Sequence, residues 1–129
     1  MSGTGYQTLL DCRRRSRYLR QNGFTTSQIA LILALDHPAT PLRLHRYATG
    51  LTATQTVEAF HRLAGTAGAG LREARLYDHE IWPQAGRRPS ISTLRLLACV
   101  YDTQPIHLLT AEMLADYPAR DQRALRDSG

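Results

Sequence analysis

The sequence predicts an all-α fold: a five-helix domain over about Pro41–Ala115, preceded by a basic two-helix extension (residues 1–40) that shares its core and followed by a charged tail over residues 116–129. Three observations carry this. No stretch of any length alternates apolar and polar residues as a half-buried strand does. Apolar residues instead recur at helical spacing, most plainly at Leu94, Leu97, Ala98 and Tyr101, which are i, i+3, i+4 and i+7. The breaks between such stretches hold Pro, Gly or Asn, and Ser or Thr residues able to cap a helix follow several of them.

Composition bounds the rest. At 129 residues, 43% hydrophobic and 21% charged, the chain can bury a core without metal or disulfide help. No apolar run is long enough to cross a bilayer and no signal-peptide pattern opens the chain, so the expected location is the cytoplasm. Cys12 and Cys99 form no C-x-x-C pair and read as reduced thiols, with Cys99, between Ala98 and Val100, expected in the core. Net charge is +5. Residues 1–49 hold seven Arg and two acids, whereas residues 50–129 hold nine of each. That asymmetry suits a polyanionic partner, or else a solvated basic face. Every basic residue is Arg, which contacts phosphate and guanine edges bidentately as Lys cannot.

The first helix is expected over Tyr6–Asn22, with Tyr6, Leu9 and Leu10 on successive turns. Its Arg13, Arg14, Arg15, Arg17 and Arg20 form a broad basic surface. It lies along a phosphate backbone, or it is an amphipathic face whose Tyr18 and Leu19 pack inward. Asn22-Gly23 is a turn. Thr25, Thr26 or Ser27 caps the next helix, Ser27–Leu35, which is apolar nearly all round and so expected at the centre of the core. Pro38 and Pro41 then precede a short helix, Leu42–Thr49, which belongs to the upstream or to the downstream unit.

Thr52 or Thr54 caps a helix running to about Leu63, with Val57 and Phe60 buried and Ala53, Gln55 and Glu58 outside. Residues 64–70 hold three glycines and read as a flexible link. Leu71–Trp82 is the next helix, its apolar face at Leu71, Ala74, Tyr77 and Ile81, stopped by Pro83. Gly86 suits a left-handed turn, and Arg87 and Arg88 lie between it and Pro89. Ser90 or Ser92 caps the helix carrying Leu94, Leu97, Ala98 and Tyr101. Pro105 opens a fifth helix with Ile106, Leu108, Leu109 and Met113 packing back, ended by Tyr117-Pro118. Pro118–Gly129 is a frayed helix or disordered.

Trp82, Gly86, Pro89, Ser90, Leu94, Leu97, Ala98 and Tyr101 resemble the end of the third helix and the fourth helix of phage-repressor-like (Xre/Cro type) helix-turn-helix regulators. Leu42, Arg43, Arg46, Gly50, Leu51 and Thr52 resemble that family's first helix and the turn after it. Residues 23–33 also look like the first helix of a bacterial helix-turn-helix unit. Two features depart from the family: Ala53 stands where Gln is common, with Gln55 two residues on, and the turn at 64–70 is longer than the family's tight one. The resemblance implies sequence-specific binding of double-stranded DNA and transcriptional regulation, with Leu71–Trp82 in the major groove. Arg72, Arg75 and His79 are then expected at base edges. Arg43, Arg46, Gln55, Arg87 and Arg88, with Arg13, Arg14 and Arg17 of the extension, are expected at phosphates. Salt bridging of Arg72 and Arg75 with Glu73 is the competing reading. Homodimers are common in the family, though no dedicated dimer helix is evident.

Other chemistry is not signalled. His37, His45, His61, His79 and His107 form no H-E-x-x-H pair and no zinc-spaced set. Glu73, which Arg72 and Arg75 could neutralise, and Glu80 read as ion-paired and not as an acid/base couple. No G-x-S-x-G elbow occurs, and no Lys-Ser/Thr follows the glycines as a P-loop requires. The expectation is no enzyme, no cofactor, no metal, no membrane and no small-molecule ligand. The rival expectation is a helical interaction module whose basic N-terminal face grips an acidic protein.

Overall fold

The computed structural model describes residues 2–65 and 70–127, and among these it is all helical, with no strand. In chain order the helices are α1 (Ser2–Gln21), α2 (Thr26–Leu33), α3 (Pro41–Thr49), α4 (Ala53–Ala64), α5 (Glu73–Ile81) and α6 (Ile91–Val100). A 3-10 turn (Pro105–Leu108), α7 (Ala111–Ala115) and α8 (Ala119–Asp127) complete the chain.

Short polar side chains set the helix starts. Thr25 and Thr52 each accept a hydrogen bond from the backbone N–H three residues on, and Gln28 and Gln55 return one from the cap's own N–H. These reciprocal pairs satisfy two otherwise orphaned donors apiece. Thr40 caps α3, where Pro41 takes the first-turn position that needs no donor. Ser90, not Ser92, caps α6. The helix expected after Pro105 divides at Leu109, whose extended backbone separates the 3-10 turn from α7.

Two apolar clusters form the interior. The larger draws on Leu42, Ala53, Phe60, Leu71, Leu76, Leu94, Leu97, Ala98, Tyr101, Leu108, Leu114, Tyr117 and Leu125. The smaller joins Cys12 of α1, Ile29, Ala30 and Leu33 of α2, and Leu44 and Ala48 of α3. Helix α3 therefore contributes one face to each cluster, Leu42 to one and Leu44 and Ala48 to the other. It packs on α1 and α2 and also meets α5 and the 3-10 turn. The expected choice between upstream and downstream membership dissolves, because α3 serves both.

Several sequence expectations are corrected. Helix α2 ends at Leu33, short of the expected Leu35, and is not buried all round: Leu31 is 72% exposed, and Leu35, past its end, 83%. It packs chiefly against α1 and α3, with Ser27 reaching Thr103 and His107, and the flank carrying Leu31 stays in solvent. Cys99 is exposed, on the outer side of α6, whereas Cys12 is buried. In α4, Ala53 and Thr56 are buried beside Phe60, while Val57 is only partly covered. The tail forms α8 through Asp127, and Leu125 enters the larger core with no exposed surface. Part of the glycine-rich link, residues 66–69, lies outside the described residues.

Candidate nucleic-acid interface

Helix α5 is held at both ends by its neighbours. At its start, His61 Nε2 of α4 donates to the Leu71 carbonyl at 2.8 Å, and the Thr54 hydroxyl donates to Glu73 Oε1 at 2.6 Å. Leu71 and Leu76 enter the larger core. Packing and two hydrogen bonds thus fix the angle between α4 and α5 across the glycine-rich link. At the far end, Arg87 N–H donates to the Asp78 carbonyl at 3.1 Å. Gly86 sits at φ 72° with so little room that a Cβ would lie 2.0 Å from the Asp78 oxygen.

The buried face of α5 differs from the one expected. Leu76, His79 and Glu80 point inward, while Ala74, Tyr77 and Ile81 are exposed. Glu80 is 1% exposed and sits between two guanidinium groups. Arg46 donates to it through Nε at 2.6 Å and Nη2 at 3.0 Å, and Arg43 Nε donates at 3.1 Å. The Thr40 hydroxyl donates to the Glu80 carbonyl at 2.6 Å. Arg46 also reaches the Leu51 carbonyl and lies over the Tyr47 and Tyr77 rings at 5.2 and 5.9 Å. Burial opposes its charge, but the hydrogen bonds and charge of Glu80 outweigh that, and the Arg46 pKa is raised. A carboxylate without solvent survives only when paired and hydrogen-bonded in this way.

Two contact assignments therefore fall. His79 is 7% exposed and its Nδ1 donates to the Arg87 carbonyl at 2.9 Å, so its ring faces the turn, not a base edge. Burial lowers its pKa, and the Arg75 and Arg87 charges reinforce this against its hydrogen bond to Arg87 and the nearby Asp78. Arg46 is buried on Glu80 and is not at the surface to meet a phosphate. Arg43 is half-committed to the same carboxylate. Arg88 donates to the carbonyl and carboxylate of Asp116 and stacks 4.7 Å from the Tyr117 ring centre, which ties the turn to α7.

The basic extension is also more structural than expected. Arg13 Nε donates to the Gly50 carbonyl at the end of α3, and Arg20 to Thr26 and to the Ala48 carbonyl. Arg14 and Arg15 pair with Asp11 and Asp36. Arg17 is exposed with neither an ion pair nor a side-chain hydrogen bond among the described residues, unlike the other four. The inward packing expected of Tyr18 does not occur, since Tyr18 is 66% exposed, while Leu19 is partly covered against the smaller cluster.

What remains at the surface is a compact set. Arg72, at the N-cap of α5, and Arg75, one turn on, are exposed and make no ion pair among the described residues; Glu73 is occupied by Thr54. Arg72 stands just outside the helix and Arg75 in its first turn, so both charges belong to the N-terminal end of α5. Arg75 borders a hollow of about 410 Å³ between α4, α5 and α6, with Ser92 and Thr93 opposite. Arg87 is exposed on the turn. Gln55 is exposed, and its Oε1 is committed to the Thr52 N–H, which leaves its NH₂ as the group for an anion. Arg72 and Arg75 put positive charge at the N-terminus of α5, and Gln55 puts donors at that of α4, places that favour anions.

Compared with known proteins, the chain matches no family model, no curated protein and no solved structure at a significant level. Among the described residues no group of three or more His, Cys, Asp and Glu side chains is placed to hold a metal ion, and no helix is long and apolar enough to cross a membrane.

Proposed function

We propose that the chain is a sequence-specific DNA-binding protein of the phage-repressor-like helix-turn-helix type, acting in transcriptional regulation and not as an enzyme. In this reading α3 to α7 form the DNA-binding unit and α5 enters the major groove. One observation carries it: Arg72 and Arg75 stand exposed and make no ion pair among the described residues, at the N-terminal end of a helix anchored by the buried Glu80–Arg46 pair. Rigid presentation of two planar, bidentate donors is what direct reading of base edges requires. Arg87, and Gln55 through its NH₂, would set register on the phosphates, and Arg17 is the extension's best candidate for a phosphate.

Selected-site sequencing on purified protein tests this. Wild type is expected to yield a motif, and Arg75→Ala to lose preference at one position at a cost of ~1–3 kcal/mol. Arg87→Ala should weaken all sequences alike and flatten the salt dependence of binding. An unchanged motif in Arg72→Ala and Arg75→Ala removes α5 from the role of reader. The spacing of half-sites in the same data reports whether two copies bind together. The rival reading, a basic face gripping an acidic protein, draws less support, because Arg13, Arg14, Arg15 and Arg20 are bonded within the chain.

A further inference from the structure

A groove of about 680 Å³ runs between α2, α3 and the segment carrying the 3-10 turn, with no residue of α5 in its walls. Leu31 of α2, Ala34 at its C-terminal cap, Leu44 of α3, and Ile106 and Leu109 give it an aliphatic lining. None of its fourteen lining residues is Arg, Asp or Glu, although charged residues make up 21% of the chain.

Polar groups from all three walls converge in it. His45 Nδ1 donates to the Pro41 carbonyl at 2.8 Å, which leaves Nε2 as an acceptor. That Nε2 faces Ser27 Oγ at 3.3 Å. His107 Nδ1 lies 3.0 Å from the same oxygen and 3.2 Å from Thr103 Oγ1, and the two hydroxyls are themselves in short contact. Burial holds the His45 pKa below the ordinary imidazole value, so its ring is neutral at neutral pH. Ser27 Oγ faces three partners, so a ligand hydroxyl or carbonyl joins the cluster by replacing one of them, which rotation of the hydroxyl protons allows.

We propose that the groove binds a neutral small molecule, with an apolar body along the aliphatic walls and a hydroxyl or carbonyl group on the Ser27–His45–His107 cluster. The size lies within the range of small-molecule pockets, as does the pattern of apolar walls with a few convergent polar groups. No Arg, Asp or Glu side chain lines the groove to pair with an ionic ligand. A hydrocarbon would strand the cluster, since covering polar groups without replacing their water contacts is unfavourable.

Amide chemical-shift titration of the intact protein with 1-naphthol and with naphthalene tests this. The expected result is saturable shifts confined to residues 25–45 and 103–110, with 1-naphthol tighter by roughly fivefold, the scale of one net hydrogen bond. That preference should vanish in Ser27→Ala. Ala34→Trp, at an exposed position, should fill the groove and abolish binding while leaving the melting curve in place; Leu31→Arg on the rim gives a second block should the first variant not fold. Shifts that never saturate, that lie elsewhere, that are equal for the two compounds in wild type, or that survive both blocking variants overturn the proposal. So does concentration-dependent self-association relieved by Leu31→Arg, which would give the groove to a second copy of the chain.

Discussion

Glu80 has almost no contact with solvent, so its charge depends on Arg46 and Arg43. Removing one member of such a buried pair strands the other. Glu80→Ala is expected to cost about 3–5 kcal/mol in urea unfolding, and Arg46→Met with Glu80→Leu should recover most of it. Nothing in the periodicity of residues 71–82 revealed this pair, because a face chosen by apolar residues passes over a buried acid. Leu76 with Glu80, one turn apart, marked the true face, and the Arg43 and Arg46 spacing on α3 was the sequence trace of the partner. His45 and His79 supply the pH dependence. Both have pKa values below the ordinary 6.5, chiefly through burial. Between those lowered values and about 6.5 the unfolded chain binds more protons than the folded one, so stability rises with pH through that window. The urea midpoint should therefore be highest above pH 6.5 and fall on acidification, less steeply in His79→Gln; an equal fall in that variant removes His79 from the account.

Caps and breakers made the elements legible. Thr25, Thr52, Ser90 and Pro105 sit where helices start, because the chemistry that satisfies free N–H groups is local. Which face a helix buries is a property of its neighbours, and there the reading failed for α2. Its run of Ile and Leu signals a core, yet one flank has no covering element. Gly86 shows a local signal that held. Its left-handed backbone and its approach to the Asp78 carbonyl close the turn after α5. Gly86→Ala adds the left-handed penalty of roughly 1–2 kcal/mol to a steric clash, so the loss should exceed about 2 kcal/mol in thermal unfolding. A loss well below that would mean that the turn can relax without disturbing Asp78.

Across the whole molecule, the two clusters meet on α3, and Arg13 and Arg20 of α1 bond its C-terminal end. Unfolding is expected to be one cooperative event. Trp82 fluorescence, reporting the larger cluster, and far-ultraviolet circular dichroism, reporting all helices, should give coincident urea curves. Separate curves would make the extension an independent unit. The all-helical class was legible because no strand pattern competes with the 3.6-residue one. The place of α8 was not, since Leu125 is a single apolar residue in a charged segment and only the assembled core shows the vacancy it fills.

The double-sided α3 also bears on protein engineering. A chimera that transplants the segment after α2 onto a foreign front half inherits Leu44 and Ala48 with no counterpart for them, whereas a join after α3 orphans Leu42 instead. Any interchange of modules must carry α3 together with both its partners, or redesign one whole side of it.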